Sequence, residues 1–187
     1  GGALYWSTTD VGWEIYSARD TFPGIARVED YYRLFCGAVA AGINHFGIDC
    51  SFRPRNDIEC GGKKISGSGG TSLGDAFMFQ GTLLVDLDID VMLRCLRVPI
   101  EKLSYSEVNS LKDRVTWLSR EAGYLPGRQE IIDNILEGLR EKLHIETYPG
   151  ELNQRERQLL DQKIGYFKSS RHIGRISRNR DQHYIKA

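Results

Sequence analysis

A chain of 187 residues with 25 Lys and Arg against 25 Asp and Glu has no net charge, so its surface as a whole offers no electropositive field and nucleic acid is disfavoured as a general partner. Its 41% hydrophobic content is enough for the core of one domain, while no run of about 20 apolar residues exists to span a membrane and the first residues given do not read as a charged-then-apolar signal peptide. Four cysteines (Cys36, Cys50, Cys60, Cys95) and four scattered histidines show no metal-ligand spacing, and the cysteines read as reduced thiols of a cytoplasmic protein.

In chain order, Gly1-Gly2-Ala3 leads into a strand-like stretch from Leu4 to Tyr16, with a break predicted between Thr8 and Gly12. After a loop at Asp20 to Gly24, apolar residues recur at helical spacing from about Arg27 to Gly42, where the glycine suits a C-cap. A short strand is predicted from Ile43 to Ile48. Asn56 to Cys60 alternates in character, Gly61-Gly62 suits a two-residue turn, and Lys63-Lys64-Ile65 begins the return strand of a β-hairpin. Ser66 to Gly74 reads as a loop, and Ala76 to Asp86 as a strand interrupted at Gly81, where a ligand or another backbone can approach. Helices are expected at Asp88 to Leu96, Ser106 to Arg114, Arg128 to Leu143 and Leu152 to Phe167. Strands first and helices later suggest an α+β fold.

The hairpin carries the chemistry. It delivers a lysine into a corner lined by glycine and serine, with the carboxylate of Asp57 nearby as a possible metal ligand. Taken alone, Gly-Gly-Lys-Lys is also the composition of a solvated hairpin tip, and a Gly/Ser run that of a flexible linker.

Four segments in order decide between these readings: Gly1–Tyr5, Arg55–Ile58 (Arg-Asn-Asp-Ile), Lys64–Ser68 (Lys-Ile-Ser-Gly-Ser) and Gly81–Leu84 (Gly-Thr-Leu-Leu). Together with Val115–Leu118 and Tyr166–Ser170 they resemble the lipoate–protein ligase family of the biotin/lipoate ligase superfamily. The resemblance implies a mixed, largely antiparallel sheet flanked by helices, spanning 1–175 as a catalytic domain, with 176–187 a basic, flexible tail. It implies ATP and Mg²⁺ as cofactors, lipoate as substrate, and a lipoyl-carrier protein as acceptor. Lys64 takes the family's catalytic lysine position, and Lys63 beside it is expected to point away toward solvent. Gly1, Gly2 and Ala3 would form a floor, Ser66, Gly67 and Ser68 would line phosphate and acyl groups with N–H or hydroxyl donors, and Gly81 and Thr82 would complete the opposite wall. Asp57 would hold Mg²⁺, with Asn56 contacting phosphate or the metal's waters.

The chain opens inside the family's glycine-rich loop, without the arginines that precede it there, so a missing N-terminal portion or a companion subunit is expected as a partner. It also departs from the family at Trp6-Ser7, where His-Asp is usual, and at Gln80, where His is common. Related octanoyl transferases work without ATP through a cysteine thioester; their cysteine position is Asp49 here, with Cys50 adjacent, and a Cys50 transferase is the alternative enzyme. A ligand-binding subunit inactive without its partner is the non-catalytic alternative. Trp6, Trp13 and Trp117 read as core or pocket wall. The last 26 residues hold seven Lys and Arg against Asp181 alone, either a solvated end or a docking surface for an acidic partner.

Overall fold

In a computed structural model describing residues 4–22, 25, 27–95 and 113–178, Gly61 and Gly62 take φ values of 56° and 77°. Left-handed φ at both central positions is what a two-residue hairpin turn requires, and the predicted hairpin forms as β3 (Asp57–Cys60) and β4 (Lys63–Leu73). With β1 (Val11–Ala18), β2 (Cys50–Arg53) and β5 (Ala76–Leu83) they make a five-stranded antiparallel sheet in the order β1-β5-β4-β3-β2. A parallel bridge, Lys64 to Val115, adds to it. The expected α+β class and largely antiparallel sheet are what the structure shows.

The Gly/Ser run is not a loop. It is the middle of β4, the central strand, paired with β5 from Ser66 to Leu73. Glycines weaken a strand on their own, but here their backbone is satisfied by the neighbouring strands, and Phe79 packs where a side chain on Gly70 would sit.

The core lies on one face of this sheet. Helix α1 (Val28–Asn44) lays Phe35, Val39 and Ile43 against Ile58, Ile65, Phe79 and Leu83. The helix continues through Gly42 to Asn44, so neither the cap at Gly42 nor the strand at Ile43 to Ile48 exists. Ile43 is wholly buried in the last turn, and that burial outweighs its preference for extended backbone. After α2 (Ile89–Cys95) and a short α3 (Leu118–Ala122), the predicted helix Arg128–Leu143 forms as α4 and crosses α1. The predicted helix at Ser106 to Arg114 lies almost wholly outside the described residues.

Gly42 serves that crossing. A Cβ on Gly138 would lie 2.2 Å from the Gly42 nitrogen, and one on Gly42 would lie 2.4 Å from the Asn134 carbonyl oxygen. Both obstacles are backbone, so the helices would have to separate. Gly138→Ala is expected to destabilise the protein by about 1–3 kcal/mol, seen as a lower urea midpoint, although alanine favours helix. A neutral or stabilised variant would show that the two helices do not rely on this contact.

Residues Gly1–Thr147 form one compact unit and Tyr148–Ala187 a second. The second holds α5 (Gln154–Phe167) and α6 (Ser170–Arg178), the former capped reciprocally by Asn153 and Glu156.

Candidate functional site

Strand β4 changes register at one residue. Ile58 pairs with Ser66, but the next residue, Glu59, pairs with Lys64, which leaves Ile65 as the extra residue of a β-bulge. Ile65 and Ser66 both turn toward the helices and are 0% exposed. Lys64 and Gly67, three residues apart, therefore emerge on the same, opposite face. Without the bulge, alternation would place them on different faces.

The consequence is a compact charge pair over a glycine. Lys64 Nζ lies 2.6 Å from Asp57 Oδ1, with side chains 39% and 23% exposed. The ammonium occupies the space above Gly67, where an added Cβ would sit 2.9 Å from both Cε and Nζ. The lysine's backbone is held as well: its N–H donates to the Arg114 carbonyl (2.9 Å), and its carbonyl accepts from Thr116 N–H (2.8 Å). Val115–Leu118 thus fixes the strand at the lysine. Lys63 is on the other face, opposite buried Cys60; rather than standing free, its Nζ lies 3.9 Å from Asp113 and its side chain is only 30% exposed.

One row of paired residues crosses all five strands on Lys64's face: Arg53, Asp57, Gly67, Thr82 and Gly12. At its far end the indole of Trp6 lies on Gly12, with Cη2 at 2.7 Å from where a Cβ would stand. Arg53 pairs with Glu59 at the near end.

Of the expected residues, Lys64, Asp57, Gly67 and Thr82 come together on this face. Ser66 and Ser68 do not bring their hydroxyls to it. The bulge turns Ser66 inward, where its Oγ has no hydrogen-bond partner among the described residues, and Ser68 Oγ donates to the Asn56 carbonyl (2.8 Å) and lies 3.2 Å from Cys36 Sγ on α1. Asn56 Nδ2 donates to the Ser68 carbonyl (2.8 Å), tying the strand ends together. Gly81 does admit a close neighbour, but it is Trp13, whose ring would lie 2.2 Å from a Cβ there. Gly1, Gly2 and Ala3 lie outside the described residues.

Cys50 sits on the helix-facing side, buried in the core, and burial together with neighbouring Cys60 pushes its thiol far above the ordinary range. Cys36 is pushed up to about 11, mainly by burial. A nucleophilic thiolate needs the opposite environment. Iodoacetamide at neutral pH is expected to label exposed Cys95 in the folded protein and to reach Cys50 only after unfolding; rapid native labelling of Cys50, followed by peptide mass spectrometry, would refute its burial.

Asp10 was not legible as a functional residue. It is almost wholly buried, and its carboxylate accepts from Val85 N–H (3.1 Å) and Ser7 N–H (2.8 Å). Thr9 Oγ1 donates to the Asp86 carbonyl (3.1 Å). These bonds anchor the segment carrying Trp6 to the end of β5.

Among the described residues, no three His, Cys, Asp or Glu side chains gather as a metal cage. A lone carboxylate such as Asp57 suits Mg²⁺, which takes one or two protein carboxylates and completes its shell with water and substrate phosphates.

The family model for the lipoyl protein ligase A/B catalytic domain matches residues 1–140. Lipoate-protein ligase A subunit 1 of Thermoplasma acidophilum is 25% identical over 179 residues, covering 87% of this chain and 65% of its own. Octanoyltransferase LipM of Kyrpidia tusciae is 24% identical over 171 residues, covering 79% of this chain and 62% of its own. The chain thus spans just under two thirds of the length of these curated relatives. A structure of the bi-partite lipoate protein ligase of T. acidophilum with its E2 lipoyl domain superposes with a TM-score of 0.78 at 22% identity, covering 92% of this chain and 66% of that one. A lipoate-protein ligase A bound with ATP gives 0.69 at 22% identity, covering 87% and 63%. These structural likenesses show the fold.

Proposed function

The chain belongs to the lipoyl protein ligase A/B catalytic domain family, and on that premise we propose that it activates lipoate with ATP and passes the lipoyl group to a lysine of a lipoyl-carrier protein. The observation that supports this most directly is the Lys64 ammonium held over Gly67, beside Asp57, on the face of the sheet away from α1.

In the first step a lipoate carboxylate oxygen bonds to the α-phosphorus of ATP and the bond to pyrophosphate breaks. In the second, the acceptor amine attacks the acyl carbonyl, AMP leaves, and the amine loses a proton. Negative charge grows on oxygens next to the mixed anhydride in both, and a fixed ammonium stabilises it where water is displaced. The small residue at Gly67 lets that ammonium lie against the sheet instead of projecting from it. Thr82 stands next in the row, with a hydroxyl on the same face. The partnership with Asp57 keeps Lys64 in position before phosphate arrives. Asp57 is the residue that would hold Mg²⁺, whose chemistry when bound is to neutralise phosphate charge.

A lipoyl-domain acceptor and a companion polypeptide are supported as partners by the bi-partite ligase that the fold matches. No helix among the described residues is long and apolar enough to cross a membrane, and the free cysteines fit a reaction in the cytoplasm.

The test combines the protein, with and without a companion subunit, with lipoate, Mg-ATP and a lipoyl-domain acceptor, and follows acceptor mass. A lipoyl mass gain that requires ATP is expected. Acylation from an octanoyl carrier protein without nucleotide would overturn the ligase reading in favour of the transferase chemistry of LipM.

A further inference from the structure

We propose that Cys50 and Cys60 are a disulfide-forming pair: an oxidant of the peroxide class closes a reversible bond between them that staples β2 to β3, on the sheet face away from Lys64 and Asp57. The inference stands apart from the ligase reading and holds whichever acyl chemistry the site performs.

Cys50 stands directly opposite Cys60 in the β2–β3 ladder, so both side chains leave the same face of the sheet. Antiparallel ladders hold two kinds of opposed pair, and the backbone shows which kind this is. The Cys50 N–H donates to Asn44 Oδ1 (2.7 Å) and its carbonyl accepts from Asn44 Nδ2 (3.0 Å), so its polar groups point to α1 and not to β3. Cys60 closes the Gly61-Gly62 turn against Lys63, a position whose backbone groups face across the hairpin toward β4. The two cysteines therefore make no backbone hydrogen bonds to each other. In such pairs the Cα atoms approach to about 4.5 Å and the side chains lie closest. A disulfide needs Cα atoms about 4.4–6.8 Å apart, which this pair meets without any change of register. The thiols are already neighbours, each within hydrogen-bond reach of the other.

The surroundings select the oxidant and the order of events. Cys50 and Cys60 are only 3% and 6% exposed, and burial holds both thiols above their ordinary range, so the reaction is slow and open only to a small reagent. Cys60 reacts first. It is the less enclosed of the two, and its Sγ lies 3.9 Å from Glu121 Oε2, a carboxylate placed to take the thiol proton. The Cys60 sulfur bonds to one peroxide oxygen, the O–O bond breaks, and the departing oxygen takes up protons as water, leaving a sulfenic acid. The Cys50 sulfur then attacks the Cys60 sulfur, and the hydroxyl leaves with the Cys50 proton as a second water. Two thiols lose two electrons, and the peroxide gains them. Of the other cysteines, Cys36 on α1 meets Ser68, and Cys95 is exposed at the end of α2.

The test holds folded protein in millimolar hydrogen peroxide, then unfolds it in iodoacetamide and digests it without reductant for mass spectrometry. Cys95→Ser is the starting protein, because it removes the exposed thiol as a competing partner. Before oxidation both Cys50 and Cys60 should be alkylated on unfolding. Afterwards neither should be, and their peptides should appear linked, about 2 Da lighter than the reduced pair. The linked protein should melt about 5–10 °C higher than the reduced one, and dithiothreitol should reverse both changes. In Cys60→Ala the same treatment should leave Cys50 a thiol and the melting temperature unmoved. Thiols at both positions after treatment, or a sulfinic acid at Cys60 beside a free Cys50 thiol, would overturn the proposal. So would a linked protein that melts below the reduced one, since the sulfurs would then not stand in bonding geometry.

Discussion

Lys64→Ala is expected to lower the rate of adenylate formation by about 10²–10³-fold, the usual loss when one preorganised group facing a developing oxyanion is removed. Pyrophosphate release measures that step, and transfer is isolated by supplying ready-made lipoyl-adenylate with the acceptor. Both should fall, because both transition states place charge beside the same anhydride. Stability should change little: the lysine side chain is 39% exposed, and a pair as solvated as Lys64–Asp57 contributes about 0–1 kcal/mol. Lys64→Arg should fail to rescue. Its planar, forked cation spreads the charge over a larger group and does not reproduce the compact ammonium held beside Asp57. Parent-like pyrophosphate release in a folded Lys64→Ala protein would remove the lysine from the mechanism.

Much of this site could be read from local sequence, because its parts are local. A Gly-Gly pair between two alternating runs specifies a hairpin through the φ values only glycine adopts readily, while the choice of Lys64 over Lys63 rests on the resemblance of Lys-Ile-Ser-Gly-Ser to the ligase family. The bulge could not be read in this way. Whether Ile65 is paired or skipped depends on the registers of β3 and β4 together, and no single residue type demands it. Simple alternation puts Lys64, Ser66 and Ser68 on one face. The bulge instead puts Lys64 with Gly67, and sends both serine hydroxyls to the other side. Gly42 failed for a related reason. Glycine near a helix end usually marks a cap, but the cause here is Gly138 on a distant helix, and a contact between remote residues leaves no periodic trace. Asp10 is similar: an acid in a polar stretch looks solvated until the N–H of Val85 is seen to need it. Trp6 was legible as a wall or core residue, and only the register across the strands places it on the same sheet face as Lys64.

Gly67→Ala separates the position of the ammonium from its charge. The new methyl group would meet only Lys64 Cε and Nζ at 2.9 Å, the far end of a flexible side chain, while Asp57 Oδ1 lies at 3.8 Å. The lysine can swing aside, so the melting temperature should hold close to the parent value. The reaction has no such freedom. A displacement of about 1 Å at a reacting centre is enough for a loss of about 10²-fold, and the Gly67→Ala protein should approach Lys64→Ala in adenylation rate despite keeping every charge. Gly69→Ala is the comparison: the same strand, two residues along and on the same face, with open space around its Cβ. It should retain a rate near the parent. If the two alanine variants were equally active, the close fit of ammonium to glycine would be incidental, and the catalytic power of the site would have to come from elsewhere on the sheet.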